Sequence, residues 1–194
     1  MDLNTRELQP QKLEMDLKIT PEKFGTIFSF IDFGNVNHWF DKDIGLKIDL
    51  KKLSVFSKNF FKLTWIYYGL DPLNKRSINF IDWMKDFFGR PYVYHKNIQK
   101  IKHYPDNSII TNKCNFDVEI AVDAIRLADN YKTLCLFSGD ADFLRLIKYL
   151  KQGKQKKIIL IKGGFIQKEL ARAVDLLIDA EDIKTLITHK NSKT

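Results

Sequence analysis

Five polar residues stand where this chain changes direction. Asp32 ends the apolar run FSFI (28–31), and Asn35 follows after Phe33 and Gly34. LCLFSG (134–139) runs into Asp140 and Asp142, with Ala141 between them. Asp117 opens a segment with helical periodicity. Each aspartate alone also fits a helix N-cap or first-turn position, where a carboxylate accepts backbone N–H bonds and faces the positive end of the helix dipole. Four carboxylates with no lysine or arginine inside their motifs would repel one another. A hard divalent cation removes that conflict: Mg²⁺ or Mn²⁺ takes oxygen ligands and keeps several waters. Such a centre, with one metal or two about 4 Å apart, suits hydrolysis of a phosphodiester. Zinc fits less well, because His38, His95, His103 and His189 are scattered and none joins the aspartates.

Residues 116–131 add an independent clue. At 100° per residue, Glu119, Asp123, Arg126 and Asn130 form a narrow polar stripe, while Ile120, Ala121, Ala124, Leu127, Ala128 and Tyr131 surround the direction of Asp117. Asp123 is therefore expected on the solvated face, paired with Arg126. Asp117 is expected on the packed face, where a carboxylate is costly unless compensated. A cation shared with the strand-end aspartates would compensate it.

The elements that must position these residues alternate along the chain. Apolar runs at 26–33, 61–69, 91–96, 133–138, 156–164 and 175–179 read as buried strands. Helical patterns occupy 48–59, 71–89, 116–131, 141–152, 166–174 and 181–188, with Gly89 and Gly153 as stops. Residues 97–115 read as a long loop or ragged hairpin, with turn signals at Pro105 and Asp106-Asn107. Strands alternating with helices predict an α/β fold, a three-layer α/β/α sandwich with a mainly parallel central sheet. Ligands of such sheets bind outside the carboxyl ends of the strands. Asp32, Asp140 and Asp142 should share that edge.

The expected division is a 1–24 appendage with at most one short helix, a 25–190 domain and a 191–194 tail. With 194 residues, 44% of them hydrophobic, the chain can bury a sizeable core. The first residues, MDLNTRELQPQ, lack an apolar signal-peptide segment, and Cys114 and Cys135 lack metal-ligand spacing. Both facts lead to an expectation of reduced thiols in a cytoplasmic protein. The oligomeric state is left open, a homodimer included.

A net charge of +8 favours a polyanionic partner such as nucleic acid. Residues 83–104 mix cations with rings (Trp83, Tyr92 and Tyr94 among them), a composition that suits single-stranded RNA. The helical and strand spacing of these rings equally fits packing. Lys96, Lys100, Lys102 and His103, in the loop, are the better candidates for backbone phosphates, with Arg145 beside the second acidic motif. Lys151, Lys154, Lys156 and Lys157 belong at the opposite sheet edge, as a solvated surface. Gly163-Gly164 falls on the active edge, where it allows a sharp turn or close approach of a ligand. Neither a dinucleotide glycine fingerprint nor a phosphate-binding P-loop is present.

IDFGN (31–35), FDVEIAVDAI (116–125) and SGDADF (138–143), followed by Gly163-Gly164 and ELARAVDLLID (169–179), resemble the NYN domain family, the LabA-like branch of the PIN-like ribonuclease superfamily. The resemblance runs along roughly residues 26–182. It implies a Mg²⁺- or Mn²⁺-dependent endoribonuclease, with Asp32, Asp117, Asp140 and Asp142 at the acidic positions and Asn35 at the asparagine after the first. The alternative it leaves is a catalytically weak RNA-binding module of the same fold.

Overall fold

The structure, a computed structural model, describes residues 17–43, 46–102 and 110–190. Six strands form a wholly parallel sheet: β1 (Ile27–Asp32), β3 (Leu63–Leu70), β4 (Val93–Asn97), β7 (Thr133–Phe137), β8 (Lys157–Lys162) and β9 (Leu176–Asp179). Their order is β4-β3-β1-β7-β8-β9. The chain builds outward from β1 through β3 to β4, then returns to the other side of β1 and builds outward again. The strand order therefore reverses between β1 and β7, and a crevice opens at their carboxyl ends.

Side-chain alternation explains why both faces are covered. In β1, Ile27 and Ile31 enter one core while Phe28 and Phe30 enter the other. β7 does the same with Cys135 and Phe137 against Leu134 and Leu136, and β8 with Ile159 and Ile161 against Ile158 and Leu160. Helices α3 (Leu50–Phe60) and α4 (Lys75–Phe88) close the first core through Leu53, Phe56, Ile81 and Met84. Helices α5 (Asp117–Arg126), α6 (Leu144–Lys154) and α7 (Lys168–Ala173) close the second through Ile120, Ala124, Ile147, Leu150 and Leu170. This is the expected α/β/α sandwich.

Several local expectations change. Residues 17–24 belong with the core: Leu17, Ile19 and Phe24 are buried in it, and Thr20 caps the short helix α1 (Pro21–Phe24). Of the long loop or ragged hairpin expected at 97–115, the structure forms the hairpin: β5 (Gln99–Lys102) pairs antiparallel with β6 (Ile110–Lys113), its tip lying outside the described residues. The 141–152 helix divides into a 3₁₀ turn (Ala141–Phe143) and α6. Gly153 lies inside α6 and does not end it. The stop is Gln155, at φ 52°, whose N–H donates to Leu150 O. The helix expected at 181–188 forms as a 3₁₀ turn (Ala180–Ile183) running into α8 (Lys184–Ile187), and it stops one residue early because Thr188–Lys190 (β10) pairs with Leu46–Ile48 (β2) in a separate antiparallel sheet. A short helix, α2 (Phe33–Val36), directly follows β1. No helix among the described residues is long and apolar enough to cross a membrane.

Candidate active site

A cleft of about 860 Å³ lies over the reversal point. Asp32, Asn35, Asp117 and Asp140 line one part of it, and Asn74, Arg76 and Phe80 another. Gly69 lies at the end of β3, where an added Cβ would stand 2.7 Å from Ile98 Cγ2, so the wall closes tightly only around glycine.

Local hydrogen bonds place each carboxylate. Asp32 ends β1 and caps α2, accepting the Asn35 N–H at 3.4 Å. Asp140 leaves β7 through Ser138-Gly139 and caps the 3₁₀ turn, its Oδ1 accepting the Asp142 N–H at 2.9 Å. The capping expectation thus holds at both positions. It does not compete with a site role, because a cap occupies one carboxylate oxygen and leaves the other. Asp117 does not cap. Asn115 does that work: its Oδ1 accepts the Asp117 N–H at 2.7 Å, and its Nδ2 donates to Asp117 Oδ2 at 2.6 Å.

One oxygen each of Asp117, Asp140 and Asp142 lies within 4.8 Å of the others. Asp32 lies outside that trio but feels it. Burial pushes its carboxyl up to about 6, helped by the charges of Asp117 and Asp140 and opposed by the Asn35 N–H. Burial also raises Asp117; Asn115 opposes the rise, and Asp140, Asp142 and Glu119 add to it. The donor set fits a hard cation. All its atoms are carboxylate oxygens, and among the described residues no basic side chain forms an ion pair with any of the four. The spread is close to the roughly 4 Å between opposite ligands of one magnesium ion.

Asn35 is drawn into the same edge. Its Oδ1 accepts the Trp39 indole N–H at 2.8 Å and the Gly139 N–H at 3.4 Å. Trp39 in turn stacks on Phe137 at 8° between ring planes and lies over Gly163, where an added Cβ would come within 2.3 Å of its Cγ. The close approach expected at Gly163-Gly164 is therefore made by Trp39. Gly164, at φ 65°, supplies the turn.

Other expectations divide. Asp123 is half-buried: it pairs with Arg126 as expected, and it also accepts the Tyr67 hydroxyl at 2.8 Å. Glu119 turns inward to Lys96. The outer face of α5 instead carries Val118 and Val122, 72% and 56% exposed. Lys96 also sits over the Phe116 ring, and Lys100 pairs with Asp71 at 3.0 Å. Arg145 is exposed near the start of α6. The Lys102 side chain and all of His103 lie outside the described residues. Trp83, Tyr92 and Tyr94 do not line the cleft; its rings are Tyr68, Phe80 and Phe116. Among the described residues, the basic side chains lining it are Arg76, Lys113 and His38. Arg76 carried no local signal, since α4 reaches the cleft only through packing beside β3. Of the opposite-edge lysines, Lys151 pairs with Asp175 and Lys156 sits over Tyr131.

The comparisons with known proteins agree with this geometry. The NYN domain model matches residues 27–183. Low amplitude and bright protein LabA from Synechococcus elongatus is 36% identical over 75 residues, which is 39% of this chain and 40% of that protein. A protein of unknown function from Vibrio parahaemolyticus superposes with a TM-score of 0.65 at 19% identity, covering 84% of this chain and 96% of that one, which shows the shared fold. With the family model spanning most of its length, the chain belongs to the NYN domain family, a family of PIN-like nucleases.

Proposed function

We propose that the chain is a metal-dependent endoribonuclease acting on single-stranded RNA. The observation that carries this reading is the convergence of Asp117, Asp140 and Asp142 beside Asp32 at the strand-order reversal, with no basic partner among them. Mg²⁺ or Mn²⁺ held there would lower the pKa of a water and offset charge on the scissile phosphate. Asp117, Asp140 and Asp142 would hold the ion. Asp32, with its raised carboxyl affinity for protons, lies beside them as a further ligand or as an acceptor for the attacking water's proton. Asn35 donates toward the substrate, and Arg76 and Lys113 offer charge to flanking phosphates along the cleft. Lys96 and Lys100 support the reading less directly, because both are ion-paired with carboxylates. A cytoplasmic location suits an RNA substrate and the free thiols of Cys114 and Cys135.

The test is cleavage of a labelled single-stranded RNA with Mn²⁺, with Mg²⁺ and with EDTA. Internal cuts that need the metal support the reading. RNA bound but never cut would favour the RNA-binding module.

A further inference from the structure

Trp39 lies outside every motif that identified the site, yet it controls one of the site's residues. Asn35 Oδ1 receives two hydrogen bonds, from the Trp39 indole Nε1–H at 2.8 Å and from the Gly139 backbone N–H at 3.4 Å. Both groups are donors without an acceptor lone pair. The atom that meets them must therefore be the amide oxygen, so the orientation of this amide follows from chemistry and not from choice of a rotamer. With its oxygen held inward, Asn35 has only its Nδ2–H₂ group left to face the cleft it lines. No described residue accepts from that group among the hydrogen bonds of the structure.

Trp39 is itself held on three sides. Its ring stacks on Phe137 at 6.3 Å between centroids, and the Phe137 strand leads into Gly139. Gly163, after β8, leaves the space the indole fills. One side chain thus ties together the loops that follow β1, β7 and β8, and its single polar atom is spent on Asn35.

We propose that Trp39 is a positioning residue that locks the Asn35 amide with its oxygen inward, so that Asn35 serves the substrate as a donor to a phosphate oxygen. A consequence is that Asn35 does not ligate the metal, because its one ligating atom is occupied. The choice of phosphate as the acceptor rests on the ribonuclease reading; the orientation of the amide does not.

The test uses the full chain and four variants: Trp39→Phe, Asn35→Ala, Asn35→Asp and Trp39→Phe combined with Asn35→Ala. Trp39→Phe keeps a ring on Phe137 and over Gly163 but removes the indole N–H. Asn35→Asp keeps two acceptor oxygens for Trp39 and Gly139 but offers no donor at neutral pH. The first readout is kcat and KM on a single-stranded RNA oligonucleotide with Mn²⁺. Trp39→Phe should lose about 10-fold in kcat/KM, the worth of one orienting hydrogen bond. Asn35→Ala and Asn35→Asp should each lose about 100-fold, as for a donor to a developing charge. The double variant should match Asn35→Ala, because an amide that is absent needs no orienting. Losses that multiply, full activity in Trp39→Phe, or full activity in Asn35→Asp would each overturn the proposal.

The second readout is hydrogen exchange of the Trp39 indole N–H, which needs no RNA. Asn35→Ala should speed it about 10-fold or more, and Asn35→Asp should not. Unchanged exchange in Asn35→Ala overturns the orientation claim. If the parent chain cuts no RNA, the ribonuclease reading and the phosphate assignment fall together, while coupled exchange would still uphold the lock on Asn35.

Discussion

Asp140 Oδ1 accepts the backbone N–H of Asp142 at 2.9 Å. The same bond caps the turn and brings the two carboxylates to one side of it, where both join Asp117. Two like charges two residues apart are held together by local backbone geometry, at a place where their repulsion can be offset by a cation.

Asp140→Asn should separate these two roles. Asparagine caps about as well as aspartate, so the melting temperature should move by no more than a few degrees. Metal-dependent RNA cleavage should fall at least about 100-fold, since a charged ligand is lost. Asp140→Ala should lose the same activity and also about 1 kcal/mol of stability. Cleavage by Asp140→Asn at the parental rate would remove Asp140 from the site.

Divalent cation should stabilise the chain. Binding to the folded state alone at 100 times Kd adds about 2.7 kcal/mol, a rise of roughly 5–10 °C for a chain of this size. Thermal melts at pH 7 with MnCl₂ and then EDTA measure this. Asp117→Asn should shrink the rise. An equal rise in the variant would point to binding elsewhere.

Without metal, stability should fall as pH rises from about 4 to about 6. The Asp32 carboxyl moves from its ordinary 3.8 to about 6 on folding, so in this window the folded state holds more protons than the unfolded one. Protons bound preferentially to the folded state stabilise it at low pH, and that stabilisation disappears as pH rises. The effect is on the order of 2 kcal/mol. Melts in EDTA should show a difference between the parent and Asp32→Asn that changes across this window. A constant difference would mean that Asp32 titrates normally.

Gly163→Ala tests what fills the active edge. A methyl group there would stand 2.3 Å from Trp39 Cγ, and Gly163 is not at positive φ, so the cost is steric. Displacing the indole should cost about 1–3 kcal/mol and shift the Trp39 fluorescence. Gly139→Ala, whose methyl would meet nothing nearer than Ile166 at 3.4 Å, should cost less. Equal melting temperatures for the two variants would contradict this packing.

Tyr67→Phe removes the hydroxyl that Asp123 accepts from the sheet. It should cost about 1 kcal/mol in urea melts, with RNA cleavage unchanged. A selective loss of cleavage would draw Asp123 into the site.

Much of this was legible along the chain because the signals are local. The β1 and β7 runs, their terminal Asp32 and Asp140, and the helices between them follow from apolar spacing of 2 or 3.6 residues. The parallel sheet follows from the alternation of strands and helices. What the sequence by itself could not determine depends on pairing between distant segments. Strand order, which makes the β1–β7 crevice, is set by competition among hydrophobic strands of similar pattern. The direction of α5 about its own axis decided that Glu119 and Asp123 turn toward Lys96 and Tyr67, leaving Val118 and Val122 outside. A helical wheel shows which residues share a face but not which face meets the sheet. Trp39 reads in sequence as one more apolar residue. Only the tertiary structure, by seating it on Gly163 and against Asn35, turned it toward the site.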